Sequence, residues 1–189
     1  MLIPIFSYIF LKGKCQYCKS KIKASYLLYE IFIGIFTVSF FIAFEISWVS
    51  ILRYIICMLI IIQIILDYRF LLLSTNIGIF IVILGLSLAF LDNKISISDS
   101  FIGICLGYGS LWLINFLFKA FKSRDGIGEG DFVFLAALCS VLGYKLIGPI
   151  IFGASLISLL IYLTSYKREQ LLPFGTGMGS SSLILIFFL

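Results

Sequence analysis

Polar residues in this chain are gathered into a few short stretches, and long apolar segments run between them. Only 12% of the residues are charged, against roughly 25% in a soluble domain. With a mean hydropathy of +1.19, there is too little polar surface to coat a water-soluble globule. The pattern predicts an all-α, polytopic transmembrane helix bundle forming one membrane-embedded domain over 1–189. About seven apolar spans are expected, at 25–44, 51–66, 76–91, 100–118, 132–142, 146–165 and 174–189. Residues 1–11 are apolar but too short to span and lack a small-residue cleavage site, so they read as an interfacial lead-in.

Three loops carry most of the remaining polarity: 12–23, basic and holding Cys15-x-x-Cys18; 119–131, rich in glycine; and 166–173. The second span ends at Asp67. Sixteen residues rise roughly 24 Å at 1.5 Å each, short of a hydrocarbon core of ~30 Å. This helix therefore has reason to run on through 70–73, which would leave Asp67 just inside the boundary.

Alternating the spans places only Arg53, Lys94 and Lys145 on one side and the other eleven of the fourteen basic residues on the opposite side. By the positive-inside rule the richer side, with the Cys15–Cys18 loop, is cytoplasmic. The same alternation puts Asp67 and Asp131 on that side at matched depth. Asp92, Asp99 and Glu45 fall on the other side, as solvated turn charges.

There is no histidine. That excludes Ser-His and Cys-His nucleophile pairs and a His-Glu-x-x-His zinc site. Cys57, Cys105 and Cys139 lie inside apolar runs and read as packing residues. The net charge of +5 fits a protein beside anionic lipid, and the scatter of basic residues over several loops speaks against a nucleic-acid partner.

Ionisable residues at a membrane boundary are functional candidates. Two carboxyls sharing a site cannot both ionise freely, so one can activate water while the other protonates the substrate. Asp131 precedes a helix and Asp67 lies late in one. The dipoles would make Asp131 the base and Asp67 the acid. Taken singly, Asp131 is equally a helix cap and Asp67 a partner for Arg69. Gly126, Gly128 and Gly130 allow positive φ and remove side chains, opening the backbone around Asp131 to a substrate.

These residues resemble the type IV prepilin peptidases, membrane aspartyl proteases with a Gly-x-Gly-Asp motif. Gly128-Glu129-Gly130-Asp131 matches that motif and is followed by Leu135-Ala136-Ala137-Leu138 and Gly143. Asp67, an aliphatic stretch and Asn76 resemble the segment with the family's first aspartate. Pro4, Ser7, Gly13-Lys14-Cys15-x-x-Cys18, Ile22, Tyr26, Glu30 and Gly34 follow its second Cys-x-x-Cys segment, and Pro173-Phe174-Gly175 its Pro-Phe-Gly signature.

The resemblance implies a multi-pass inner-membrane endopeptidase with Asp67 and Asp131 as catalytic pair and the site facing the cytoplasm. Its substrates would be prepilins or pseudopilins, cut after a glycine at the end of a basic leader. Asp125 and Glu129 would attract the leader's cations. Val133 stands where the family has lysine and Ser74 where it has proline. The chain resembles a short form lacking the N-terminal region, which puts N-methylation in doubt. No cofactor is expected. Cys15 and Cys18 are half of a four-ligand zinc site, so zinc would need ligands from another chain. Competing readings are a preflagellin-type peptidase, a transporter using membrane carboxylates and an inactive relic.

Overall fold

The structure is a computed structural model that describes residues 8, 10–16, 18–92, 94–123, 126–164 and 172–188. Asp125, Pro4, Ser7 and most of the 166–173 loop lie outside the described residues. The described chain is all-α, with seven α-helices as the hydropathy pattern predicts: α1 (Ala24–Ala43), α2 (Trp48–Phe70), α3 (Thr75–Leu91), α4 (Ile97–Lys122), α5 (Glu129–Leu142), α6 (Ile147–Thr164) and α7 (Phe174–Phe188). A 3-10 turn, Tyr144–Leu146, leads into α6. The chain divides into two compact units, Met1–Ser50 and Ile51–Leu189.

In the first unit, Lys14 and Lys21 form an antiparallel bridge, closed by Cys15 N–H to Ser20 O (2.9 Å) and Ile22 N–H to Gly13 O (2.8 Å). The tip of this small hairpin holds Cys15 and Cys18 as free thiols. The Cys18 sulfur lies 3.0 Å from the Ser20 hydroxyl, and this contact lowers the Cys18 thiol to about 7. Among the described residues no group of three or more potential metal ligands occurs.

The second unit is built around α5. Only fourteen residues long, this helix buries Phe132 and every residue from Phe134 to Leu142. Small residues on its neighbours let them close on it. A Cβ at Gly78 of α3 would stand 2.9 Å from Val133 Cγ1, and one at Gly103 of α4 2.7 Å from the Cys139 carbonyl oxygen. Such close backbone approach is how membrane helices pack without a hydrophobic driving force between them. Ser140 is the polar exception among these buried residues, and its hydroxyl donates to Ala137 O at 2.7 Å. Gly143, at φ 76°, takes the chain out of α5.

Among the described residues, four helical segments are long and apolar enough to cross a membrane: Ala24–Ala43, Trp48–Phe70, Ile97–Lys122 and Tyr144–Thr164. Thr75–Leu91 and Phe174–Phe188 are shorter apolar helices. Their outward faces are also apolar, with Phe101, Trp112, Phe116 and Phe121 exposed along α4. An aqueous solvent would not tolerate that surface, but a bilayer would.

Helix α2 continues past Leu66 to Phe70, as its length argument expects, so Asp67 lies inside it. Two other boundaries differ from expectation. Helix α4 continues to Lys122, taking four residues from the expected loop. Lys119 and Lys122 sit in its last turn, where cations suit the dipole, and Ser123 ends it in the left-handed conformation. Glu129-Gly130-Asp131 forms the first turn of α5 and is not a loop. Asp92 is not a free turn charge either. It pairs with buried Arg53 of α2, while Asp99 stands 3.8 Å from Lys145.

Candidate active site

Asp67 and Asp131 line one cleft of ≈ 500 Å³, together with Leu71, Gly126, Ile127, Gly128, Leu172 and Phe174. The aspartates come from α2 and α5, and the charge of Asp67 acts on Asp131. Asp67 is 5% exposed. Its Oδ2 accepts the Thr176 backbone N–H and the Thr176 hydroxyl, at 2.8 Å. Oδ1 takes no hydrogen bond among the described residues. Thr176 is the third residue of α7, so its N–H is one that a helix leaves unpaired at its start. Asp67 supplies the acceptor from another helix. Asp131 stands in the first turn of α5. Each carboxylate therefore faces a helix N-terminus, which suits negative charge. The late-helix position that favours a protonated Asp67 is thus opposed by the start of α7.

The glycines act through space and not through unusual torsions. Positive φ among the described glycines is confined to Gly13 and Gly143, and Gly128 is extended at φ −71°. The positive φ that Gly126, Gly128 and Gly130 would allow is thus not used. The backbone there needs close approach, because its neighbours fill the volume a side chain would take. A Cβ at Gly130 would meet Leu73 Cβ at 2.9 Å, and one at Gly126 the Phe118 ring at 2.7 Å. At Gly128 the nearest atom is Asp131 Oδ2, at 3.5 Å, so here the cleft is open beside the carboxylate. Gly175 packs behind Asp67, where a Cβ would fall 3.1 Å from the carboxyl carbon and 2.8 Å from Leu73 Cδ1.

Of the residues singled out from sequence, Asp67, Asp131, Gly126, Gly128 and Phe174 line the cleft. Gly130, Pro173 and Gly175 form its backing. Pro173 O accepts the Ser158 hydroxyl at 3.2 Å. Glu129 is exposed. Val133 packs on Gly78 and does not line the cleft.

Four contributors went unread in the sequence: Thr176, Leu73, Gln63 and Asn115. The Asn115 side chain accepts from the N–H groups of Gly126 (2.8 Å) and Ile127 (3.1 Å), fixing the strand that enters the motif. Gln63 was the most legible of them. It is a lone amide in an apolar run, one helical turn before Asp67, and such residues are functional candidates in membrane helices.

Residues 54–163 match the Type IV leader peptidase family, more than half of the chain's 189 residues. The chain belongs to this family. Residues 1–44 match the Bacterial Peptidase A24 N-terminal domain. Three curated relatives are called prepilin leader peptidase/N-methyltransferase. The protein from Dichelobacter nodosus is 32% identical over 184 residues, covering 92% of this chain and 61% of the relative. That from Xanthomonas campestris pv. campestris is 30% identical over 191 residues, covering 98% and 66%. That from Neisseria gonorrhoeae is 31% identical over 184 residues, covering 97% and 64%. The chain thus spans less than two thirds of the length of these relatives. No solved structure matches it. The stretch matched to the leader peptidase family contains Gln63, Asp67, Leu73, Asn115 and Asp131, whereas Thr176 and α7 lie beyond it.

Proposed function

We propose that this leader peptidase family member is an integral-membrane aspartic endopeptidase with Asp67 and Asp131 as its catalytic pair. The observation that carries the reading is the meeting of two carboxylates, from helices far apart in sequence, in one cleft. Like charges sharing one cleft favour a state in which the pair holds one proton. The ionised carboxylate takes a proton from water as the hydroxide adds to the scissile carbonyl carbon. The protonated one gives its proton to the carbonyl oxygen. The resulting gem-diol collapses by breaking the C–N bond: the amine leaves with the proton the pair holds, and one gem-diol hydroxyl returns its proton to the pair as C=O re-forms. A helix N-terminus lies against each carboxylate, so the pair is written as one titrating unit without dividing the roles.

The substrates are prepilin or pseudopilin-like proteins; the relatives are named for prepilin. The apolar part of such a substrate would stay in the bilayer while its basic leader reaches the cleft from the cytoplasmic side. The excess of basic residues on that side supports this orientation. Glu129 and Asp125 would attract the leader's cations.

The test is cleavage of a prepilin-like substrate in membranes by wild type, Asp67→Asn and Asp131→Asn at matched expression. Cleavage by wild type, and a loss of about a thousandfold or more in each variant, is the expected result. Residual cutting near the wild-type rate in either variant refutes the pair.

A further inference from the structure

Between α2 and α3 the chain makes a four-residue crossing, 71–74, that is not helical. It starts with Leu71 in the left-handed region, at φ 53°. A non-helical backbone within an apolar bundle must find internal partners, and here one side chain provides two of them. Gln63, fully buried on α2, donates from Nε2 to Ser74 O (2.8 Å) and accepts at Oε1 from Ser74 N–H (3.0 Å). Two bonds in opposite senses fix both the position and the rotation of that backbone.

The residue held next to this clamp is Leu73. Its Cβ and carbonyl lie against Gly130, at 2.9 and 3.2 Å from where a Cβ would be, and Gly130 is the neighbour of Asp131. Its Cδ atoms lie against Gly175, at 2.8 and 3.0 Å from a Cβ position that is itself 3.1 Å from Asp67 Cγ. Leu73 therefore touches both the turn that carries Asp131 and the turn that holds Asp67.

We infer that Leu73 is the spacer that sets the separation of the two carboxylates, and that Gln63 is a positioning residue that locks the spacer through the Ser74 backbone. Gln63 touches neither carboxylate and takes no part in proton transfer. It acts on the geometry in which water can sit between them, and displacements of about 1 Å there are enough to slow such a reaction by about 100-fold.

The inference deepens the peptidase reading and rests on it, so its test has one arm that needs catalysis and one that does not. In the first, kcat and KM are measured for wild type, Gln63→Leu and Gln63→Leu with Ser74→Pro. Leucine removes the clamp and strands the Ser74 N–H. Proline has no N–H to strand, and its fixed φ of about −65° suits the −81° at Ser74. The expected result is a fall of about 100-fold in kcat for Gln63→Leu, KM within about threefold, and recovery of about tenfold or more in the double variant. A merely structural role would lower the yield of folded enzyme but leave kcat per folded molecule unchanged.

The second arm is hydrogen–deuterium exchange of the same proteins without substrate. Gln63→Leu should speed exchange both in 71–76 and in 126–132, and the double variant should reverse it. Gln63→Leu with wild-type kcat, or with 126–132 unaltered in exchange, overturns the inference. If wild type cuts no substrate, the peptidase reading fails and the exchange arm alone decides whether the spacer is locked by Gln63. Should Gln63→Leu not fold, Gln63→Met takes its place with the same expectations.

Discussion

Removing one hydroxyl from the cleft should slow the chemistry while leaving the fold in place. In Thr176→Val the side-chain volume is kept, as is the backbone N–H to Asp67 Oδ2. The hydroxyl donor at 2.8 Å is lost. Both residues are buried, at 6% and 5% exposed, so water does not readily replace it. A hydrogen bond to a charged group contributes about 1.5–3 kcal/mol. The surviving N–H keeps part of the restraint on Oδ2, which puts the loss near the lower end, at about 1.5 kcal/mol. At about 1.4 kcal/mol per factor of ten, kcat/KM should fall about tenfold. Thr176→Ser retains the donor and should stay within about threefold of wild type. Initial rates on a prepilin-like substrate in detergent, normalised to folded protein from a thermal unfolding scan, give the comparison. Valine within twofold of wild type, or serine as slow as valine, would refute a role for the hydroxyl in holding Asp67.

Two further outcomes follow from the same geometry. Gly175→Ala puts a methyl 3.1 Å from Asp67 Cγ and 2.8 Å from Leu73 Cδ1. It should reduce cleavage by about tenfold or more and lower stability by about 1–3 kcal/mol, while Gly109→Ala, whose methyl meets nothing within 4 Å, leaves cleavage unchanged and does not lower stability, since alanine suits a helix interior better than glycine; thermal unfolding and cleavage rates check both. In the first unit, Cys18 alkylation by iodoacetamide should rise with pH through about 7, following the thiolate held by Ser20. Ser20→Ala should move that rise to higher pH, as read by mass spectrometry, with fully buried Cys57 and Cys139 staying unlabelled.

What the sequence made legible is what depends on local pattern. Apolar runs give the seven helices, and span alternation puts Asp67 and Asp131 at one end, because hydropathy and length constrain both. The length argument also carried α2 past Asp67 to Phe70. What stayed hidden depends on partners distant in sequence. Thr176 meets Asp67 across 109 positions, and Arg53 meets Asp92 across 39. Nothing in the neighbourhood of either residue encodes those meetings. The glycines illustrate the same limit. Gly-Glu-Gly suggests a turn with unusual torsions, yet Gly130 opens a helical turn that must pass Leu73 closely. Only the packed structure distinguishes the two uses of a missing side chain.

The buried polar residues of the apolar helices obey one rule at the cleft. Three non-helical stretches among the described residues converge on it, at 71–74, 126–128 and 172–173, and each has a polar side chain from a helix bonded to its backbone. Gln63 holds Ser74, Asn115 holds Gly126 and Ile127, and Ser158 holds Pro173 O. Unpaired backbone in an apolar medium costs several kcal/mol per group, so these connections require internal partners. Amides and hydroxyls provide them without adding charge. The carboxylates, in contrast, are met by helix starts: Asp131 at its own α5 and Asp67 at α7. The two kinds of polar group thus do different work. Neutral side chains hold the backbone in place around the cleft, and helix dipoles hold the charges inside it. A bilayer leaves no looser arrangement open, since water that would otherwise satisfy either need is admitted only where the cleft itself opens.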